Sequence, residues 1–62
     1  MEIYVLFIEY EIIELITTNK ELWLEQLKRR AREDGGLHPG DHGEVWKDSK
    51  KLYDVYKLSD IR

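Results

Sequence analysis

The chain has 62 residues, of which 42% are hydrophobic and 37% charged, and its formal net charge is −3. That length supports one hydrophobic core, and a core this small is marginal unless disulfides, a metal or self-association supplement it. The chain has no cysteine, which excludes disulfides and thiolate zinc motifs and points to a reducing compartment.

The opening stretch Met1-Glu2-Ile3-Tyr4-Val5-Leu6-Phe7-Ile8-Glu9 has no basic leader and no small-residue cleavage site, so it does not read as a signal peptide. Glu9, Glu11 and Glu14 interrupt the apolar run before it approaches the roughly 20 residues of a membrane span. The expectation is a soluble cytoplasmic protein with no membrane partner. Within it, Glu2–Tyr10 is rich in β-branched and aromatic residues and predicts a strand. Alternation places Ile3, Val5 and Phe7 on one face and Tyr4, Leu6, Ile8 and Tyr10 on the other, so both faces are apolar. Such a pattern belongs to a strand covered on both sides.

A second apolar run, Ile12-Ile13-Glu14-Leu15-Ile16-Thr17, follows without the Gly, Asn or Asp that a two-residue hairpin turn favours. It fits a second strand after a turn through Glu9–Glu11, one long bulged strand, or a helix over Ile8–Ile16. Two strands are the preferred reading. A helix is then expected from Lys20 to about Glu33. Thr18 and Glu21 fit a capping box at its start, and Gly35 or Gly36 fits a left-handed residue at its end. Acids come early in this segment and bases late, as the helix dipole favours. Glu25 and Arg29 form an i,i+4 pair. Trp23, Leu24, Leu27 and Ala31 make the apolar stripe, and Leu22 lies away from it.

All four glycines and the single proline fall in Gly35–Gly43, a loop between two structured halves of one domain, 1–62. Beyond it, Glu44–Lys47 and Lys51–Leu58 read as strands around a polar break at Asp48-Ser49-Lys50. The expected fold is α+β: a small antiparallel sheet in β-β-α-β-β order with one helix packed on one face. A helix of 14 residues is about 21 Å long and covers one face only. The leftover face is either Ile3, Val5 and Phe7 or Tyr4, Leu6, Ile8 and Tyr10, and the longer row is taken as a dimer interface. Burying such side chains stabilises by about 1.5–3 kcal/mol each, which makes a homodimer the expected remedy. The competing arrangement folds the loop, Trp46 and the C-terminal strand over that face.

Candidate chemistry is sparse. His38, Asp41 and His42, with Glu44 close behind, have the spacing of half a metal site. A loop containing Pro39 and Gly40 does not hold that spacing, and solvated loop histidines are the preferred reading. Ser49 and Ser59 lack a strand-turn-helix elbow. Gly36, Gly40 and Gly43 lack a phosphate-loop spacing. No catalytic activity, metal or cofactor is expected.

Charge is unevenly spread. Residues 1–26 carry six acids and one base, while residues 27–34 carry Lys28, Arg29, Arg30 and Arg32 against Glu33 and Asp34. Trp, Tyr and Arg dominate binding energy in interfaces, so Leu22, Lys28, Arg29, Arg32 and Trp46 are the candidates for contact with a protein partner. The expected function is a small non-catalytic protein-binding module, regulator or inhibitor, of the kind phages and mobile elements encode, acting as a homodimer. A toxin–antitoxin component is not separable from that reading by sequence. The alternative is a nucleic-acid-binding protein that uses the basic helix end Lys28–Arg32.

Overall fold

The computed structural model describes residues 1–62. Its elements are β1 (Glu2–Ile8), β2 (Ile12–Thr17), α1 (Lys20–Arg30), β3 (His42–Lys47), β4 (Lys50–Val55) and a 3₁₀ turn at Leu58–Asp60. The strands form one antiparallel sheet in the order β2-β1-β3-β4. The α+β architecture, with one helix on one face, is therefore as the residue pattern implied. β1 is an interior strand, which suits its two apolar faces. No helix is long and apolar enough to cross a membrane.

The two hairpins turn without glycine. Glu9 and Tyr10 have φ of 49° and 70°, and Asp48 and Ser49 have φ of 52° and 65°. Paired left-handed residues give a twist that matches the flanking strands, which is how Ile8 meets Ile12 and Lys47 meets Lys50. The Tyr10 amide also donates to the Gly40 carbonyl at 2.7 Å, tying the first turn to the long loop.

The helix starts differently from expectation. Asn19 is the N-cap, and its Oδ1 accepts from the Leu22 amide at 3.1 Å; the Thr18–Glu21 capping box does not form. The Thr17 hydroxyl accepts from the Asn19 amide at 2.9 Å and sets the entry. The helix also stops earlier, at Arg30. Ala31 turns extended and bridges to Leu37, because the Arg32 amide finds the Gly36 carbonyl at 2.8 Å. Gly35 is left-handed, with φ of 86°, but it serves this turn and not the helix end.

The core lies between helix and sheet. Trp23, Leu27, Tyr4, Leu6, Leu37, Val45 and Val55 form its buried cluster, and Leu24, Ala31, Leu58 and Ile61 pack around it. Across the strands, Tyr4–Val45–Tyr53 and Leu6–Gly43–Val55 make two rows facing the helix. Trp23 is fully buried and its indole N–H donates to the Val5 carbonyl at 2.9 Å, so the largest core side chain also satisfies its polar atom.

Gly43 makes that packing possible. A Cβ there would sit 3.0 Å from Trp23 Cζ2 and 3.3 Å from Val55 Cβ. Gly43→Ala is expected to destabilise the fold by about 1–3 kcal/mol through overpacking, seen as a lower urea midpoint with an unchanged slope. Asn19→Ala is expected to cost about 0.5–2 kcal/mol through loss of the cap. Thr18→Ala should stay close to wild type, and the reverse order in the same urea titrations would restore the capping box.

Candidate functional site

Helix, loop and tail all gather on one side of the sheet. Leu37, Leu58 and Ile61 join the helix-side core, and the Leu58 amide donates to the Gly35 carbonyl at 2.7 Å. Lys20 Nζ reaches the Arg62 carbonyl at 3.0 Å, so the C-terminal residues also lie against the helix layer. The loop and the last residues therefore pack on the helix side, while Trp46 and the Tyr56 ring lie over part of the opposite face.

The four residues expected at a dimer interface lie on the helix side of the sheet or in a turn. Tyr4 and Leu6 are buried under the helix, Ile8 packs against the same cluster, and Tyr10 sits in the β1–β2 turn against Gly40. The helix stripe chose the row containing Tyr4 and Leu6, because Trp23 needs the close approach that Gly43 allows there. The row on the opposite face is Ile3, Val5 and Phe7, of which Ile3 is exposed, Phe7 half-buried and Val5 buried between its neighbours.

Strand pairing assembles this open face in rows. Ile16, Val5, Glu44 and Asp54 lie side by side across the four strands; Ile13, Phe7 and His42 form the next row, and Ile3, Trp46 and Lys51 the one beyond. The β1–β2 half is apolar, and the β3–β4 half carries the polar groups. Ile3, Val5, Ile16 and Trp46, with Lys47, Asp48 and Ser49 at the rim, line an open cavity of about 330 Å³. Ile3 and Ile16 remain 42% and 57% exposed.

The polar half is ordered around Glu44. Its Oε2 accepts from His42 Nε2 at 2.8 Å, and its Oε1 accepts from the Trp46 indole N–H at 2.8 Å. The His42 ring stacks on Phe7 at 4.7 Å with the planes 2° apart, and against Tyr56 at 5.7 Å. On β4, Asp54 pairs with Lys51 at 3.1 Å. His42, Glu44 and Asp54 each offer a ligand atom, all lying within 4.8 Å of one another. These are the residues with metal-binding chemistry. His42 belongs to β3 and not to the loop, and Asp41 points to Arg30, at 3.9 Å. His38 remains exposed in the loop. The cross-strand partner Asp54 was missed because only sheet register brings it beside Glu44.

The expected partner-binding residues are divided between two sides. Trp46 is on the open sheet face. Leu22, Lys28, Arg29 and Arg32 belong to the helix layer, where Arg29 pairs with Glu25 at 2.8 Å and Arg32 with Asp34 at 3.7 Å. Arg30 reaches Glu14 at 3.5 Å. No family model, curated protein or solved structure matches the chain, so its own geometry carries the functional reading.

Burial alone would raise the Glu44 carboxyl, but hydrogen bonds from His42 and Trp46, together with the charges of Lys51 and His42, hold it below the ordinary carboxylate range. A depressed folded-state value stabilises the fold above the unfolded carboxylate range, and that contribution disappears as pH falls through the folded value. Glu44→Gln is therefore expected to be less stable than wild type at pH 7, with the gap narrowing toward pH 3. Thermal melts across that range measure it, and a constant gap would place the effect in packing instead of ionisation.

Proposed function

We propose that the chain is a small non-catalytic protein-binding module, a regulator or inhibitor, that works through its open sheet face and pairs there with a second copy. The supporting observation is the exposed pair Ile3 and Ile16, which flank a buried Val5 on the face opposite the helix, with half-buried Phe7 and Trp46 beside them. Adjacent exposed apolar side chains rimmed by polar groups are the kind of surface that binds other proteins.

A second copy suits the face for two reasons. Both sheet edges are blunted: β2 carries a bulge at Glu14 and β4 a bulge at Leu52, each marked by a slip in register. Bulges and charges on edge strands discourage strand addition, which favours contact by the face. The face is also divided lengthwise, so a copy related by a twofold axis along the strands stacks apolar half on apolar half. Full overlap about that axis would instead set the Glu44 and Asp54 strands over the apolar strands of the copy, so only the β1–β2 halves overlap. Contact over half a face is small by the standard of specific interfaces, so the pairing is expected to be weak and concentration-dependent.

The nucleic-acid alternative draws less support from the geometry. Arg29, Arg30 and Arg32 each pair with an acid of their own chain, so little uncompensated positive charge remains at the helix end.

Sedimentation equilibrium across a wide concentration range tests the reading. The wild type is expected to move from monomer to dimer with rising concentration. Ile16→Lys, at a position more than half exposed, should stay monomeric and folded. A wild type that remains monomeric at hundreds of micromolar, or an Ile16→Lys variant that dimerises equally well, overturns the proposal.

A further inference from the structure

We propose that His42, Glu44 and Asp54 form a site for a divalent transition-metal ion, of which zinc is the type, on the open face of the sheet. The three side chains project from adjacent rigid strands, and their ligand atoms lie within 4.8 Å of one another. Donors around tetrahedral zinc, at about 2.0–2.1 Å from the ion, stand about 3.3 Å apart. The His42–Glu44 pair, at 2.8 Å, is already close to that spacing, and a side-chain rotation of Asp54 brings in the third donor.

Two features outside the donor set prepare it. The His42 ring is held between Phe7 and Tyr56, which fixes where Nε2 points. The Trp46 indole N–H holds Oε1 of Glu44, leaving Oε2 directed at the site. The Trp46 hydrogen bond is the kind of outer contact that orients a carboxylate ligand in metal centres. Ion binding displaces the proton on Nε2, and the imidazole then carries its proton at Nδ1.

The donor chemistry selects the ion. One nitrogen and two carboxylates suit zinc and its neighbours, whereas calcium needs six to eight oxygens and magnesium near-ideal octahedral oxygen geometry. Three protein ligands leave a coordination position for water. Lys51 is the resident competitor: its ammonium lies 3.1 Å from Asp54 Oδ1 and must release that carboxylate when the ion enters. The site needs no second copy of the chain, so its failure and that of the face-to-face dimer are separable.

Calorimetric titration of the full chain with zinc chloride, followed in parallel by ¹H–¹⁵N correlation spectra, tests the assignment. One saturable ion per chain is expected, with shifts centred on His42, Glu44, Asp54 and the Trp46 indole, and no competition from millimolar magnesium. His42→Gln and Asp54→Asn should each weaken binding at least tenfold, while Lys51→Met should tighten it several-fold. His38→Gln should bind as wild type does. Circular dichroism checks that each variant is folded, and if either ligand variant is not, the other decides together with Lys51→Met. Absence of saturable binding at submillimolar zinc overturns the site. Zinc affinity that survives both ligand substitutions, or that falls with His38→Gln, does so too.

Discussion

One helix lies on one face of a four-stranded sheet, and this inequality governs the rest of the molecule. Trp23 sets the contact: its ring fills the space over Gly43, and its N–H is satisfied by the Val5 carbonyl. An indole in that position needs a strand residue without a side chain beneath it, and β3 supplies one between His42 and Glu44. Once Trp23 and Leu27 occupy the helix side, the Tyr4–Leu6 row is core. Period-two alternation then leaves Ile3, Val5 and Phe7 facing away. The helix does not merely cover a sheet; it decides which of two apolar faces stays open.

The remaining segments reinforce that decision. Leu37, Leu58 and Ile61 all join the helix-side core, because backbone pairing between the loop and the segment after β4 carries them there. Small domains bury a smaller share of their surface than large ones, and this one concentrates its auxiliary packing on a single layer. The edges of the sheet are treated differently from its open face. Glu14 occupies the bulge on β2 and reaches Arg30, while Lys50 and Lys51 begin β4 beside the bulge at Leu52. Charge and irregularity protect the edges, and nothing equivalent is placed over Ile3 and Ile16.

What could be read from the residues was largely periodic. The two apolar faces of β1, the Trp23–Leu27 stripe and the Glu25–Arg29 pair all follow from fixed spacings, and all appear in the structure. Details that depend on competition between neighbours were less legible. Thr17, Thr18 and Asn19 are all capable caps, and Asn19 is set in that place by its own amide donating to the Thr17 hydroxyl. The end of the helix depends on Arg32 and Gly36 meeting across a turn, which no helical periodicity encodes. Glu9-Tyr10 and Asp48-Ser49 take left-handed conformations that glycine usually marks. The polar cluster was hidden for another reason: Glu44 and Asp54 are ten positions apart, and only the register of β3 on β4 makes them neighbours.

Trp46 connects the two halves of the open face. Its ring helps to line the apolar cavity with Ile3, Val5 and Ile16, and its N–H holds the carboxylate of Glu44. An aromatic side chain with an apolar body and a polar tip suits that boundary. Phe7 does the same in the next row, lying in line with Ile13 while stacking on His42. Both aromatic rings therefore present an apolar surface and also position a polar group. Strand alternation alone brings the two together: the face rejected by the helix holds both the unburied apolar residues and the charges that could not enter the core.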